Sequence, residues 1–176
     1  PGKSYTDPMN AFFNFPKILL LTMQGGYLAG NQVGLEMAPA ETFDGFYEQY
    51  KMQVEHFINE YAETANLACQ FFNEKYKRPL VSSVISGCID KAQLADEGGA
   101  YFWHKCMNSS GLGTAIDSLV AIYDVVYDKK LKTMDEFVKI LDNDFYGEEA
   151  FRLYLVNKLP KYGNGDPMVD GLAKDF

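Results

Sequence analysis

The amphipathic segment that follows Glu41 is the sequence feature that most restricts the fold. From Phe46 to Phe72 apolar residues recur mostly at steps of three and four, the spacing of one face of an α-helix. Turn and cap formers around Asp44 supply a start, and the Arg78-Pro79 pair breaks the chain after it. At 3.6 residues per turn the pattern predicts a helix of about seven or eight turns. We therefore expect a helix-dominated chain with at most one or two short strands.

Shorter patterns predict the remaining elements. Helical spacing or cap residues predict helices over residues 15–23, 114–127, 133–141 and 147–159, and turn formers predict loops over 1–12, 25–41 and 160–167. Residues 80–94 fit a short buried strand or a helix, and their length favours a helix. Residues 100–103 are short, aromatic and preceded by two glycines, which makes them the best strand candidate. One strand cannot satisfy its own backbone groups. Together with a start at Pro1 and not at Met, this favours a piece of a larger protein.

Charge and cysteine content limit the classes of binding partner and the cellular compartment that we expect for this chain. The formal net charge is -8 and the sequence pI is about 4.7, so a concentrated basic face for nucleic acid or an anionic membrane is not expected. The longest apolar run, from Phe12 to Met23, is interrupted by polar residues and is too short to cross a bilayer. The three cysteines stand at wide spacings that predict neither a disulfide framework nor a zinc site. We expect a cytoplasmic protein without a metal site.

Several polar features have both a chemical and a structural interpretation. The Gly111-Leu112-Gly113 turn could present N–H groups to an anion, but it lacks a third glycine, so a tight turn is favoured. His104 could transfer a proton, yet no acidic neighbour in the sequence orients it. Cys88 and Cys106 fit apolar surroundings better than the electropositive setting of a reactive thiol.

Segments in order along almost the whole chain carry a family resemblance. Pro1-Gly-Lys-Ser4 resembles the stretch after a catalytic Cys loop, and Ala11-Phe-Phe-Asn-Phe-Pro-Lys-Ile-Leu19 is similar to the motif that follows that loop. The later segments that match are Pro79-Leu-Val-Ser-Ser83, Cys88-Ile-Asp-Lys91, Glu97-Gly-Gly-Ala-Tyr101, Asp117-Ser-Leu-Val-Ala-Ile122 and Pro160-Lys-Tyr-Gly-Asn-Gly-Asp166 with Val169-Asp170. The family they resemble is the glycyl radical enzymes of the pyruvate formate-lyase type.

The resemblance implies an α/β fold in which residues 1–176 form a helix-dominated part of a ten-stranded barrel. It places the catalytic Cys before Pro1 and the radical Gly beyond Phe176, so no residue of the chain is expected to be catalytic and the chain alone is expected to be inactive. The implied radical is installed by a separate S-adenosylmethionine-dependent iron–sulfur activase. Further implied partners are a small-molecule substrate and, for the full-length protein, copies of itself. The residues expected to line the substrate chamber are Tyr5, Thr6, Asp7, Trp103 and Met107.

The sequence also departs from the family in a way that bears on the substrate. Family members that eliminate water or amines carry small polar residues and glycines after the double glycine, whereas the segment from Tyr101 to Gly111 is bulky and apolar here. Apolar walls cannot pair a polyol's hydroxyl groups, so we expect a radical lyase for an apolar or aromatic substrate, of the fumarate-adding or arylacetate-decarboxylating branch. The alternatives are a dehydratase or C–N lyase of the same family, and a noncatalytic binding or scaffold protein such as a decayed paralogue.

Overall fold

The structure, a computed structural model, describes residues 4–6, 11–104 and 107–176, with the backbone alone at 4–6 and 11. Its strands in chain order are β1 (Ser4–Thr6), β2 (Ala11–Asn14), β3 (Tyr27–Leu28), β4 (Asn31–Gln32), β5 (Phe102–His104) and β6 (Met107–Ser110). Its α-helices are α1 (Phe15–Met23), α2 (Phe43–Lys75), α3 (Pro79–Ser83), α4 (Leu112–Ile122), α5 (Met134–Asp142), α6 (Glu149–Asn157) and α7 (Pro167–Asp175). A 3-10 turn covers Ala95–Glu97, and a π-helical turn, Tyr123–Asp128, continues α4. In the described part of the chain no helix is both long enough and apolar enough to cross a membrane.

The chain divides into two compact units. The strand unit comprises Pro1–Phe13 and Ile58–Ser109, and the helical unit comprises Asn14–Phe57 and Ser110–Phe176. In the strand unit β1 pairs with β5 in parallel, and β2 pairs with β6. The short hairpin of β3 and β4 belongs to the helical unit. Helix α2 contributes residues to both units.

The core of the helical unit forms around α4, which packs against α1 and α7. Helix α1 starts where its sequence predicts, because the Asn14 side chain accepts a hydrogen bond from the Lys17 amide and Pro16 occupies the first turn. The fully buried side chains of this core are Leu19, Phe46, Tyr50, Gln53, Ile116, Leu119, Ile122, Val125 and Val169. Burial of the apolar members removes them from water, which is the main source of stability in such a core.

A buried amide fastens one loop of the helical unit to α2. Gln53 is fully buried, and its Nε2 donates to the Leu35 carbonyl at 2.6 Å while its Oε1 accepts from the Leu35 amide at 3.0 Å. The side chain therefore satisfies both backbone groups of one loop residue, as a neighbouring strand would. Gly34 permits the close approach, because a Cβ at that position would lie 2.4 Å from Gln53 Oε1.

Several sequence predictions are confirmed by these elements. Helix α1 has the predicted bounds, and α2 extends the long amphipathic pattern to Lys75. Helix α5 begins after Thr133, whose side chain and Glu136 form a reciprocal capping box. The predicted helix over 114–127 is present as α4 and the π-helical turn, and α6 lies within the predicted range 147–159.

Other predictions were wrong, for reasons the backbone shows. The helix predicted over 80–94 ends after Ser83, and turns carry the chain to the 3-10 turn, because local hydrogen bonds such as Gln93 N–H to the Cys88 carbonyl replace helical ones. The predicted strand over 100–103 is displaced to β5, and its partner is β1, inside a segment predicted to be a loop. The expected one or two strands are six short ones in the described residues, and α7 occupies a segment whose helix start, Asp166-Pro167, went unrecognised.

Candidate functional site

The parallel pairing of β1 with β5 brings together most of the residues predicted to line a substrate chamber. In the register of this pair Tyr5 lies opposite Trp103 and Thr6 lies opposite His104. The two strands are far apart in sequence, so the pairing is a tertiary feature that no local pattern predicts. Asp7, the third residue predicted on the first loop, lies outside the described residues. The predicted site is therefore centred on one strand pair.

Trp103 is not a core residue of this chain. Its side chain is 38% exposed in this chain. It lines a cavity of about 290 Å³ in the strand unit. The other lining residues come from α2 and from the 3-10 turn, and they are Asn66, Cys69, Gln70, Asn73, Asp96 and Glu97. Trp103 thus contributes an aromatic surface to a cavity whose other walls are mostly polar.

Met107, the last predicted site residue, begins β6. This strand pairs with β2 and not with β1 or β5, and its side chains are exposed, with Met107 at 44%. Met107 therefore belongs to a different strand pair from Trp103. The predicted site residues in the described part of the chain are therefore divided between two strand pairs.

Of the cysteines and histidines considered in the sequence, Cys88 is buried, as predicted. Cys69 and Cys88 are buried, at 7% and 3% exposure, and Cys106 lies outside the described residues. His104 is exposed on β5 and is the register partner of Thr6. No group of three His, Cys, Asp or Glu side chains in the described ranges is arranged to hold a metal ion.

The Gly111 turn has a steric explanation. Gly111 precedes α4 with a φ of +79°, and a Cβ there would lie 2.7 Å from Cδ of Pro16. Both the left-handed backbone and the contact with the proline ring require glycine. The tight-turn interpretation therefore accounts for this motif without an anion.

Sequence reasoning missed a buried ion pair next to the Trp103 cavity. Asp96 is only 7% exposed, and Arg78 donates to both of its carboxylate oxygens, with a distance of 2.9 Å from Nε to Oδ2. Such a two-point contact is the preferred geometry between guanidinium and carboxylate. Arg78 was interpreted only as part of a helix breaker, because a single sequence gives no sign of a partner at a distance.

A second cavity, also missed, lies in the helical unit. It is an open cleft of about 1420 Å³ whose walls include the rings of Phe43, Tyr123 and Tyr127. Near the end of the π-helical turn, Lys129 Nζ lies 2.6 Å from both Asp124 Oδ1 and the Tyr154 hydroxyl, which itself donates to Asp124 at 2.7 Å. These bonds, first to Asp124 and then to Tyr154, raise the pKa of Lys129 above its usual range. Lys129, Asp124 and Tyr154 thus form three mutual hydrogen bonds, which stabilise the end of the π-helical turn.

Comparison with known proteins agrees with the predicted family. The family model described as "Pyruvate formate lyase-like" matches residues 1–176. The chain is 33% identical over 173 residues to trans-4-hydroxy-L-proline dehydratase of Clostridioides difficile, covering 96% of this chain and 22% of the relative. It is 29% identical over 179 residues to (2S)-3-sulfopropanediol dehydratase of Klebsiella oxytoca, covering 98% of this chain and 22% of that protein.

The fold agrees as well. The structure of the glycerol-bound B12-independent glycerol dehydratase from Clostridium butyricum superposes with a TM-score of 0.86 at 32% identity, covering 99% of this chain and 22% of that one. The chain thus spans about a fifth of the length of the relatives it matches. The α/β fold class, with helices dominant, is confirmed by this match to a glycyl radical enzyme barrel. The chain belongs to the pyruvate formate lyase-like family of glycyl radical enzymes.

Proposed function

We propose that the full-length protein is a glycyl radical lyase and that residues 1–176 supply wall and scaffold around its substrate chamber. The observation that carries this proposal is the strand pair of β1 and β5, which sets Tyr5 opposite Trp103 within a chain whose family model matches throughout. The radical-bearing residues of such an enzyme supply hydrogen abstraction from an unactivated position. The residues of this chain hold the substrate and exclude water.

In this proposal the substrate is bound by Tyr5, Thr6, Asp7, Trp103 and Met107. Trp103 and Met107 offer apolar surface that remains 38% and 44% exposed in this chain. An apolar wall favours a substrate with an apolar or aromatic body, because hydroxyl groups against such a wall would lose hydrogen bonds to water without replacement. The reaction classes that fit are addition of a hydrocarbon to fumarate and decarboxylation of an arylacetate.

A second candidate, a dehydratase or C–N lyase, is favoured by a different observation. Two relatives that match over almost the whole chain are named as dehydratases of trans-4-hydroxy-L-proline and of (2S)-3-sulfopropanediol. The cavity beside Trp103 has amide and carboxylate walls, from Asn66, Gln70 and Asp96 among others, which suit a polar substrate group. The two candidates share the radical chemistry and differ in the substrate that the chamber accepts.

The same proposal includes the activating enzyme, the oligomeric state and the compartment of the full-length protein. A separate S-adenosylmethionine-dependent iron–sulfur activase installs the glycyl radical, the full-length protein forms a homo-oligomer, and it works in the cytoplasm without oxygen. The isolated chain is inactive, because its described cysteines are buried and the family's motifs place the reacting residues outside it. A noncatalytic paralogue would share the fold but would not carry a radical.

The first experiment is anaerobic activation of the full-length protein with an activase and S-adenosylmethionine, followed by electron paramagnetic resonance. A doublet from a glycyl radical supports the proposal. The proposal is refuted if the doublet is absent while a known glycyl radical enzyme, treated in parallel under the same conditions, shows one. The activated protein is then offered arylacetates, toluene with fumarate, trans-4-hydroxyproline and glycerol. Turnover of either of the first two alone supports the apolar candidate, and turnover of the hydroxylated compounds alone supports the dehydratase.

A pair of variants tests the proposed wall. Trp103→Ala is expected to change the ratio of kcat/KM between two accepted substrates by about tenfold, since one lost apolar contact is worth that order. Tyr146→Ala is the matched control, because Tyr146 is an aromatic residue that is 84% exposed in the helical unit. An unchanged ratio in Trp103→Ala would remove Trp103 from the proposed site.

A further inference from the structure

The ion pair of Arg78 and Asp96 stands where the chain leaves α2 and turns back toward β5. Arg78 immediately precedes α3, and Asp96 lies in the 3-10 turn that leads to β5. The side chain of Asp96 is 9% exposed and that of Arg78 is 36% exposed, so the carboxylate is held in a largely dry setting. The two-point contact fixes the carboxylate plane as well as its distance.

A second contact makes the attachment of the 3-10 turn to α3 rigid. The buried Ser82 hydroxyl donates to the Arg78 carbonyl at 2.9 Å and accepts from the Ala95 amide at 3.0 Å. The backbone of the turn and the side chain of Asp96 are therefore tied to the same turn of helix. The two contacts use different parts of Arg78, its guanidinium for Asp96 and its backbone carbonyl for Ser82. A displaced guanidinium would therefore act on the start of the segment that becomes β5 through Asp96.

The segment between Asp96 and Trp103 has little slack to absorb such a movement. A Cβ on Gly99 would lie 2.2 Å from the Gln93 carbonyl oxygen, and one on Gly87 would lie 2.8 Å from the Gly99 carbonyl oxygen. The Tyr101 amide donates to the Ser86 carbonyl at 3.2 Å. A backbone packed this closely moves as a body and does not stretch locally.

Asp96 and Trp103 also line the same cavity of about 290 Å³. Asp96 is therefore connected to Trp103 through the backbone of the turn, and both residues border one cavity. The structure thus places an ion pair with a buried carboxylate next to a residue proposed to form the chamber wall.

We propose that Arg78 and Asp96 act as positioning residues for Trp103, and through it for substrate selection, without contacting the substrate. The functional part of this inference rests on the proposed radical lyase activity. Its structural part does not, because the position of Trp103 can be measured in any sample of folded protein.

The structural test uses fluorine NMR of the full-length protein labelled with fluorotryptophan. Trp103 is the single tryptophan of the 176-residue sequence, and the resonance lost in Trp103→Phe assigns it even where further tryptophans are present. Arg78→Lys keeps the charge but removes the two-point contact, and Asp96→Asn keeps the shape but removes the charge. Both are expected to shift the Trp103 resonance.

The matched control is Arg152→Lys. Arg152 makes the same two-point contact with Glu149, at 2.7 Å for both bonds, but on the exposed surface of α6. This variant is expected to leave the Trp103 resonance in place. A Trp103 resonance unchanged in both Arg78→Lys and Asp96→Asn, or shifted equally by Arg152→Lys, would overturn the inference.

The functional test measures kcat and KM for two substrates with the activated enzyme. Because misplacement by about 1 Å costs up to about a hundredfold, we expect Arg78→Lys to change the ratio of kcat/KM between the substrates by about tenfold or more, with the glycyl radical signal retained. An unchanged ratio together with a shifted resonance would overturn the link to selection. Loss of the radical signal in the unmodified protein would instead refute the proposed activity, and the fluorine result would still decide the positioning role.

The double variant Arg78→Met with Asp96→Leu tests the inference in a protein that contains no unpaired buried charge. A lone buried charge destabilises a protein, whereas replacing both partners with apolar side chains is often neutral. The double variant is therefore expected to fold and still to shift the Trp103 resonance. A folded double variant with an unmoved resonance would contradict the positioning role.

Discussion

Gln53 offers the sharpest test of how the helical unit holds its loop. The side chain is completely buried and makes both hydrogen bonds that the backbone of Leu35 can offer, at 2.6 Å and 3.0 Å. Gln53→Leu keeps the volume but leaves the Leu35 amide and carbonyl without this partner. An unsatisfied buried polar group costs about 1–3 kcal/mol. Because Leu35 is only half-buried and water can reach part of it, we expect a loss of about 2–4 kcal/mol in the free energy of unfolding.

Gln49→Leu is the matched control for this change. Gln49 lies one turn earlier on α2 and donates a single solvent-exposed hydrogen bond to the Ala38 carbonyl at 2.8 Å. Its loss is expected to cost no more than about 1 kcal/mol. Urea denaturation followed by far-ultraviolet circular dichroism gives both values. Equal losses in the two variants would refute the assignment of Gln53 as the attachment of the loop.

Gln53→Glu adds a pH dependence with a definite sign. A carboxylate accepts from the Leu35 amide but repels the Leu35 carbonyl, whereas a protonated carboxyl group donates to that carbonyl. Burial and the facing carbonyl raise the pKa of the introduced carboxyl above its unfolded value of about 4.3. The variant is therefore expected to be most stable below that value and to lose stability as pH rises through the folded pKa. A variant that instead gains stability on that rise would contradict the geometry.

Two further changes test local features of the helices. Gly111→Ala meets Pro16 at 2.7 Å in a backbone with φ +79°, so we expect a loss of about 2 kcal/mol or more in the free energy of unfolding by urea denaturation; a neutral result would contradict the steric explanation. Thr133→Ala removes the N-cap of α5 and is expected to cost about 1 kcal/mol near pH 7. The Thr133 amide, at 2.8 Å, and then its hydroxyl, at 3.1 Å, donate to Glu136 and hold the pKa of that carboxyl below its usual value. Thr133→Ala keeps the amide but removes the hydroxyl, whose bond to the ionised carboxylate adds stability above the unfolded pKa that is lost as pH falls through the folded one. Hence the cost of Thr133→Ala should shrink in acid, and a cost that grew would argue against the capping box.

The sequence predicted best where the deciding interactions are local. Helix α1 follows from Asn14 and Pro16, and α5 from the capping box of Thr133, because each signal lies within one turn of the helix end. The long α2 follows from periodicity alone. These are the elements whose causes a single sequence contains.

The errors arose where distant partners decide the structure. The apolar pattern after Leu80 looks helical, yet the chain there is folded around Gly87 and Gly99, which approach backbone from other turns. Strand β1 lies among turn formers and is a strand because β5 pairs with it. For the site, the family resemblance suggested both the first loop and Trp103. Only the fold supplies the register between them and the Arg78–Asp96 pair near them.

The strand register also changes which residues bear on the substrate question. Successive residues of a strand point to opposite faces, and Trp103 lines the cavity formed with α2 and the 3-10 turn. Phe102, at 64% exposure, and the exposed His104 therefore lie on the other face of β5. The bulky residues that the sequence presents as one apolar segment are in fact shared between two faces. A substrate chamber can border only one face of this ladder directly. Phe102→Ala and Trp103→Ala should therefore change substrate preference to different extents. The larger change identifies the face of the ladder that the chamber borders.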